Sequence, residues 1–560
     1  MATASTKRAR KKRPTAGVTV ARKISAGDAS DARRVAVGEE IPERAWLIAS
    51  IIILMLATAL RVYALELKPL HHDEGVNGFF LTNLLRPPHH YSYDPANYHG
   101  PTLYYLTLPL VAFTGLSTFV IRFVPALFGV GTVWLVLALR RRVGALAALT
   151  AAALIAVSPA CVFYSRYFIH EMSFVFFTLG IVVAALRFYE TGAAKYVYLA
   201  AVSAAMLFAT KETAFISVGT LGLAWLVAFV WVKMAGGVRA DGRERNSEAV
   251  GLTKFRASGQ APFVVAISVV LFVFIWILFY SSFFTNWKGV LDSFKAFDIW
   301  KETGMSEFHR KPLYTYVKWL LQEDAPIFVL GSFGAVWALF ESRKNRFVIF
   351  AAAWGCGLLA AYSLISYKTP WLVLNFVVPL SIVGGYAVQQ AAGGWASAQG
   401  GRRGAGPRRG AGPRRWAVLA VAAVAVGVSL YQSVVINFRE YDNDQYPYVY
   451  SQTYRQVFDL IKEVELLGAR AGTKEPGIGM ASPDYWPLPW YFRDDSHAGF
   501  EGRLSSYYDP NSTSVIIGRE DQLPQLQRVA GDAYVRVGGL YTLRPGVNLV
   551  LFERADLAGK

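Results

Sequence analysis

The sequence predicts an all-α polytopic membrane protein of about eleven transmembrane helices, followed by a small C-terminal α/β domain outside the membrane. Three observations predict it. Of the 560 residues 54% are hydrophobic and only 17% charged, with a mean hydropathy of +0.31, whereas soluble domains carry about a quarter charged residues. One compact core cannot hold that much apolar surface, which excludes a soluble enzyme. Apolar runs of about 20 residues, the length that crosses a bilayer, recur along residues 45–436. From Asn437 to residue 560 the charged residues return and the apolar runs shorten to strand length.

Residues 1–44 form a polar tail containing Lys7, Arg8, Arg10, Lys11, Lys12 and Arg13, expected to be disordered. The run from Ala45 to Tyr63 is as long as a spanning helix and starts too far in for a cleaved signal peptide, so it reads as an uncleaved first span. Further spans are expected near 118–139, 145–163, 172–188, 195–210, 213–233, 262–282, 326–341, 347–364, 371–390 and 416–436. Alternate gaps are basic: Arg140, Arg141 and Arg142; Lys233 through Arg256; Arg343, Lys344 and Arg346; and the repeat GRRGAGPRRGAGPRR ending at Arg415. Lys and Arg accumulate on the cytoplasmic side, so the net charge of +18 reads as topology in a plasma or inner membrane and not as a nucleic-acid surface. The N-terminus is then cytoplasmic, and an odd number of spans leaves the C-terminus outside. Residues 437–560 hold 13 basic and 17 acidic residues, the opposite balance, as expected there. Tyr454, Phe458 and Ile461 fall at helical spacing, while Val515-Ile516-Ile517 and Asn548 to Phe552 read as strands. The two cysteines, Cys161 and Cys356, both lie in apolar stretches and support neither a disulfide framework nor a Cys-based metal site.

The first external loop, residues 64–101, holds His71, His72, His89, His90 and His99, five of the chain's eight histidines. His71-His72-Asp73-Glu74-Gly75 opens an amphipathic stretch in which Asp73 and Asn77 share one helical face, with Val76, Phe79 and Phe80 available to a membrane surface. Three readings fit these residues. One is an interfacial loop with an aromatic belt and capping acids. Another is a metal site of histidines and acids, with Asp73 and Glu74 as candidate ligands for a divalent ion (Mg, Mn or Zn), although a recognised spacing such as H-E-x-x-H is missing. The third is a positioned carboxylate acting as general base on a hydroxyl, with or without a divalent ion. Adjacent carboxylates at a lipid surface are costly unless used.

The Asp-Glu pair after the first span, the segment Tyr98-His99-Gly100-Pro101-Thr102-Leu103-Tyr104-Tyr105, and Arg122-Phe123-Val124-Pro125 together resemble the GT-C class of membrane glycosyltransferases. Within it the chain is similar to protein O-mannosyltransferases and aminoarabinose transferases. Ser165-Arg166-Tyr167, Ala209-Thr210-Lys211-Glu212 and Ser366-Tyr367-Lys368-Thr369-Pro370-Trp371 look closest to a branch named for archaeal proteins associated with flippase activity in N-glycosylation. The resemblance covers about residues 45–390. One departure is Gly-Pro-Thr-Leu-Tyr where aminoarabinose transferases carry Pro-Pro-Leu-Tyr.

The resemblance implies a GT-C-like transmembrane domain, a polyprenyl-phosphate-sugar donor, inverting hexosyl transfer, and Asp73 in the catalytic role. On that reading Asp73 deprotonates a hydroxyl of a glycan, lipid or protein acceptor, and Glu74 supports a metal or orients the acceptor. His72 and His99 contact phosphate or sugar, with Asn77 and Tyr104 beside them. Topology argues for a lipid donor independently, because nucleotide sugars are not available outside the membrane. A phosphate leaving group needs cations, and Arg86, Arg166 and Lys368 are the candidates. Lys211 and Glu212 read as an ion pair fixing two helices, and the aromatic segment Tyr485 to Phe492 as packing or interfacial anchoring ahead of sugar recognition. The alternative function is a non-catalytic, flippase-associated protein that binds lipid-linked sugars. A transporter is disfavoured by the lack of an evident internal repeat and by acids gathered in one external loop.

Overall fold

The computed structural model describes residues 41–87, 91–97, 99–234, 250–305, 310–341, 345–393 and 412–558. The basic tail up to residue 40, His89, His90, Tyr98, Arg343, Lys344 and most of the Gly/Arg/Pro repeat lie outside the described residues.

All eleven expected spans fall on helices. Among the described residues, eight helices are long and apolar enough to cross a membrane: Glu43–Val62, Thr118–Val143, Glu171–Thr191, Ala214–Met234, Ala261–Tyr280, Arg346–Leu364, Pro370–Gly393 and Pro413–Phe438. Two more are broken pairs. Ala145–Val157 and Pro159–Ser165 meet at 56°, and Thr315–Glu323 and Ala325–Phe340 at 117°. The remaining one, Ala194–Phe208, is a shorter apolar helix. The chain is a multi-pass membrane protein, and among the described residues eight to ten segments have the length and apolar composition of a full span.

The breaks have identifiable chemistry. Pro159 has no N–H to give the Ile155 carbonyl, and the buried Arg61 guanidinium supplies it, donating to Ile155 at 3.0 Å and Ala156 at 2.8 Å. At the second break Asp324 accepts from Ser158 Oγ at 2.8 Å and from the Ala160 N–H at 3.3 Å. Backbone groups freed at the breaks are thus met by buried side chains of neighbouring helices. Small residues allow close packing elsewhere: a Cβ on Gly385 would stand 2.3 Å from the Ala147 carbonyl oxygen.

The helices sort the loops to two ends. At one, Arg140 pairs with Glu43 at 2.7 Å, Asn345 donates to the Arg142 carbonyl at 2.6 Å, and Gln389 accepts the Ala147 N–H at 3.0 Å. At the other end of Thr118–Val143, the Phe119 N–H reaches Glu66 at 3.1 Å. The loop carrying Asp73 and the C-terminal domain lie at that second end.

The C-terminal domain is a four-stranded sheet of order β1-β2-β4-β3, with β1 Ile478–Met480, β2 Val515–Arg519, β3 Tyr534–Arg544 and β4 Val547–Arg554. β1 and β2 are parallel and the other pairs antiparallel. Val515, Ile517, Leu549 and Leu551 pack on the helix Val457–Arg470, while Ile516, Val550 and Phe552 pack with Leu526 of the helix Leu523–Ala530. A sheet covered on both faces explains why β2 reads as an unbroken apolar run and not as an alternation.

Candidate active site

Asp73 and Glu74 occupy the first turn of the helix His72–Leu85. His71 is its N-cap: Nδ1 accepts the Asp73 N–H at 3.1 Å, and Glu74 Oε2 accepts the His71 N–H at 2.9 Å. This reciprocal pair is a capping box. Gly75 and Gly78 form a notch on the same helix, where an added Cβ would meet the Pro487 Cα at 2.7 Å and the Trp490 ring at 2.5 Å. The segment Tyr485 to Phe492 fills that notch. Trp490 Nε1 donates to Thr118 Oγ1 at 3.0 Å, and the Tyr491 hydroxyl accepts the Leu70 N–H at 2.9 Å.

The two adjacent acids have opposite surroundings. Glu74 is fully buried, and both its oxygens are filled. Arg122 donates Nε to Oε1 and NH2 to Oε2, each at 2.7 Å, and the Phe168 N–H adds a bond to Oε1 at 2.8 Å. The other Arg122 donors reach the carbonyls of Leu65, Lys68 and Pro69, so its full donor set is used. Burial pushes the Glu74 carboxyl up, but the Arg122 guanidinium outweighs it and holds the group below its ordinary value. Glu74 anchors the loop. Both its oxygens are engaged by protein donors, the Arg122 guanidinium and the Phe168 N–H.

The Asp73 side chain, in contrast, is 40% exposed, with His71 Nδ1 3.7 Å from its Oδ2. Among the described residues no donor hydrogen-bonds its carboxylate. It lines a tight aromatic cleft with His71, Tyr164, Tyr167, Ile169, Trp371, Tyr448 and Tyr450. The His71 ring is buried. Because its Nδ1 accepts from the backbone, the neutral ring carries its proton on Nε2, which has no partner among the described residues.

The remaining expected residues are dispersed. His72 Nδ1 accepts from Arg544 NH1 at 3.3 Å, and Arg544 NH2 in turn meets Asp484 Oδ1 at 2.6 Å. Burial pushes the His72 imidazole down to about 4, with the Asp73 charge opposing and His71 and Arg544 adding to the fall. Asn77 and Tyr104 are buried partners, the Tyr104 hydroxyl donating to Asn77 Oδ1 at 2.8 Å while Asn77 Nδ2 donates to the Phe168 carbonyl at 2.9 Å. His99 Nδ1 lies 3.2 Å from Glu212 Oε2. Lys211 pairs with Glu171 at 2.7 Å. Lys211 and Glu212 therefore fix neighbouring elements through separate partners and not through each other.

The three expected phosphate-binding cations each have partners within the protein. Arg86 pairs with Asp494 at 2.6 Å, at the far end of the helix from Asp73. Arg166 closes the C-terminal end of the first span, donating to the carbonyls of Leu60, Arg61, Tyr63 and Ala64. Lys368 donates to the carbonyls of Lys311 and Ile365 at 3.2 and 2.5 Å. Helix ends leave carbonyls without partners, and a cation beside a span end is as well placed to meet those as to meet a phosphate.

Sequence reasoning did not place Tyr164, Tyr448, Tyr450 or Arg544 at the site, and Tyr167 was legible only as part of Ser-Arg-Tyr. Tyr450 carries no local signal, because it sits in the connection between the last span and the C-terminal domain. Arg544 ends a strand far along the chain. Trp371 was legible only as part of Ser-Tyr-Lys-Thr-Pro-Trp.

The family model of dolichyl-phosphate-mannose-protein mannosyltransferases matches residues 98–236, a segment that contains His99, Tyr104, Arg122 and Arg166. No curated protein matches the sequence. Among solved structures, ArnT from Cupriavidus metallidurans bound to undecaprenyl phosphate is similar over 93% of this chain and 100% of its own, with a TM-score of 0.55 and 13% identity. Its apo state gives a TM-score of 0.56 at 14% identity, over 92% of this chain and 99% of its own. The Archaeoglobus fulgidus oligosaccharyltransferase tethered with an acceptor peptide is similar over 85% of this chain and 69% of its own, with a TM-score of 0.52 and 14% identity. With its spanning helices, and its acid-bearing loop and C-terminal domain at the same end, the chain has the GT-C fold of membrane glycosyltransferases.

Proposed function

We propose that the chain transfers a sugar from a polyprenyl-phosphate donor to a hydroxyl acceptor on the outer side of the membrane, with Asp73 as general base. The observation that carries this reading is the contrast between the two acids. Glu74 has both oxygens engaged, whereas Asp73 presents a half-exposed carboxylate without a hydrogen-bond donor among the described residues, in an aromatic cleft. A free carboxylate beside aromatic faces suits proton abstraction from a sugar or polyol hydroxyl. The undecaprenyl phosphate bound by ArnT and the acceptor peptide tethered to the oligosaccharyltransferase support a lipid-linked donor and an external acceptor.

In this mechanism the acceptor O–H proton passes to the Asp73 carboxylate while the acceptor oxygen bonds to the anomeric carbon. The bond from that carbon to the phosphate oxygen breaks, and polyprenyl phosphate leaves with the electron pair. Attack opposite the leaving group inverts the anomeric centre.

Incubation of the purified protein with a panel of polyprenyl-phosphate sugars, following release of polyprenyl phosphate, tests the activity. Asp73→Asn keeps helix-terminal hydrogen bonding but removes the base, and turnover should fall by about 10²–10⁴-fold at unchanged melting temperature. Wild-type turnover by stably inserted Asp73→Asn protein would remove the base assignment. Absence of release from every donor by the wild type would favour the non-catalytic, lipid-linked-sugar-binding alternative.

A further inference from the structure

The phosphate of the donor needs a cation, and most of those around the Asp73 pocket already have partners. Arg122 is bound to Glu74, Arg166 and Lys368 to carbonyls, and Arg544 to Asp484. Lys68 is buried beneath the site, its Nζ 3.8 and 3.7 Å from the ring centroids of Phe163 and Tyr167, which closes it to an entering ligand. Lys311, unlike the buried Lys68, is partly exposed. Its Nζ has no hydrogen-bond or ion-pair acceptor among the described residues and stands 5.4 Å from the centroid of the Tyr450 ring. Tyr450 lines the same pocket as Asp73, and the Trp371 ring packs against it at 6.1 Å.

The backbone holds Lys311 there. Its N–H donates to the Ser366 carbonyl at 3.2 Å, Arg310 bridges to Tyr367, and its carbonyl accepts from Lys368 Nζ. Lys368 thus braces the strand-like pair that presents Lys311. A second, independent feature points to an acceptor-rich ligand in this pocket: the buried His71 Nε2, a donor without an acceptor among the described residues. A buried donor left unpaired is expensive, and a ligand oxygen would relieve it.

We propose that Lys311 is the cation that receives the donor phosphate, at the aromatic rim of the Asp73 pocket. This rests on the glycosyl-transfer reading above. The ligand chemistry is a phosphate monoester or diester carried on a lipid, with the Lys311 ammonium giving charge-assisted hydrogen bonds to its oxygens.

The test is binding of undecaprenyl phosphate to the full-length protein in detergent, which needs no turnover. Inorganic phosphate and phosphatidylglycerol are run as competitors. Lys311→Met should weaken binding about ten-fold or more, the loss expected for one charged hydrogen bond to phosphate, with an unchanged melting temperature. Lys311→Arg should retain most of the affinity, and Lys311→Gln replaces Lys311→Met if the latter proves unstable. Competition by inorganic phosphate supports recognition of the phosphate group, whereas equal displacement by phosphatidylglycerol would overturn a dedicated site in favour of general headgroup attraction. Wild-type affinity in a folded Lys311→Met protein overturns the role of Lys311 alone. A wild type that binds no undecaprenyl phosphate overturns the lipid-donor reading and this inference with it.

Discussion

One residue step on a helix rotates a side chain by about 100°, and at Asp73 and Glu74 that rotation separates a solvent-facing carboxylate from one locked inside. The sequence shows two acids at the right place but not which of them faces inward, because the partner that decides is Arg122, 48 residues later. The same limit applies to the cations. Arg166 and Lys368 were legible as charges beside span ends, but their acceptors are backbone carbonyls, which every residue has. His72 gives a prediction at this scale. Its folded imidazole is held down near 4 by burial, against about 6.5 in the unfolded chain. Between those values the unfolded state binds the extra proton, so stability rises with pH and is lost as pH falls from about 6.5 toward 4. Melting temperature measured across that window should therefore decline on acidification, and His72→Gln should flatten the decline. An unchanged slope in the variant would place the acid sensitivity elsewhere.

The helix His72–Leu85 is clamped along its length by the C-terminal domain. Arg544 meets His72 at its start, Pro487 and Trp490 fill the Gly75 and Gly78 notch, and Asp494 holds Arg86 at its end. Overpacking a close contact costs typically about 1–3 kcal/mol. Gly78→Ala should therefore lower the unfolding free energy by about that amount and reduce activity, because it displaces the helix that carries Asp73. Gly219 is the control: it lies in the helix Ala214–Met234 with open space around its Cα, and Gly219→Ala should be neutral or mildly stabilising. Equal effects at both sites, read by chemical or thermal unfolding, would show that the notch is not a tight contact. The spanning helices were legible because apolar length alone specifies them. The breaks at Pro159 and Asp324 were not, since a proline or acid inside an apolar run does not say which distant side chain will satisfy the freed carbonyls. In the C-terminal domain β2 and β4 were legible as apolar runs. β1, with three residues, and β3, whose outward face carries Arg536, Gly538 and Gly539, were too short or too mixed to stand out.

At the scale of the whole molecule, the contacts divide the connections into two sets that local sequence could only suggest. Glu43, Arg140, Arg142, Asn345 and Gln389 are drawn together at one end of the helices, and these lie in or beside the Lys- and Arg-rich gaps. The Asp73 loop and the acidic C-terminal domain share the opposite end, joined by Trp490 to Thr118 and Tyr491 to Leu70. Positive charge marks the cytoplasmic side, so the end with Arg140 should face the cytoplasm and the pocket should open outside. That orientation matters for the chemistry, because it decides whether the activated sugar arrives on a lipid. Alkaline phosphatase fused after the C-terminal residue should be active in cells, whereas the same enzyme fused after Val143, at the Arg140 end, should be inactive and a cytoplasmic fluorescent reporter there bright. Since both fusion points belong to one body tied by the contacts above, they must respond in opposite senses. A reversal of both would move the pocket to the cytoplasm, where nucleotide sugars are available and the argument for a lipid donor loses its topological support. An inactive C-terminal fusion paired with an inactive one after Val143 would instead contradict the division of the connections into two ends.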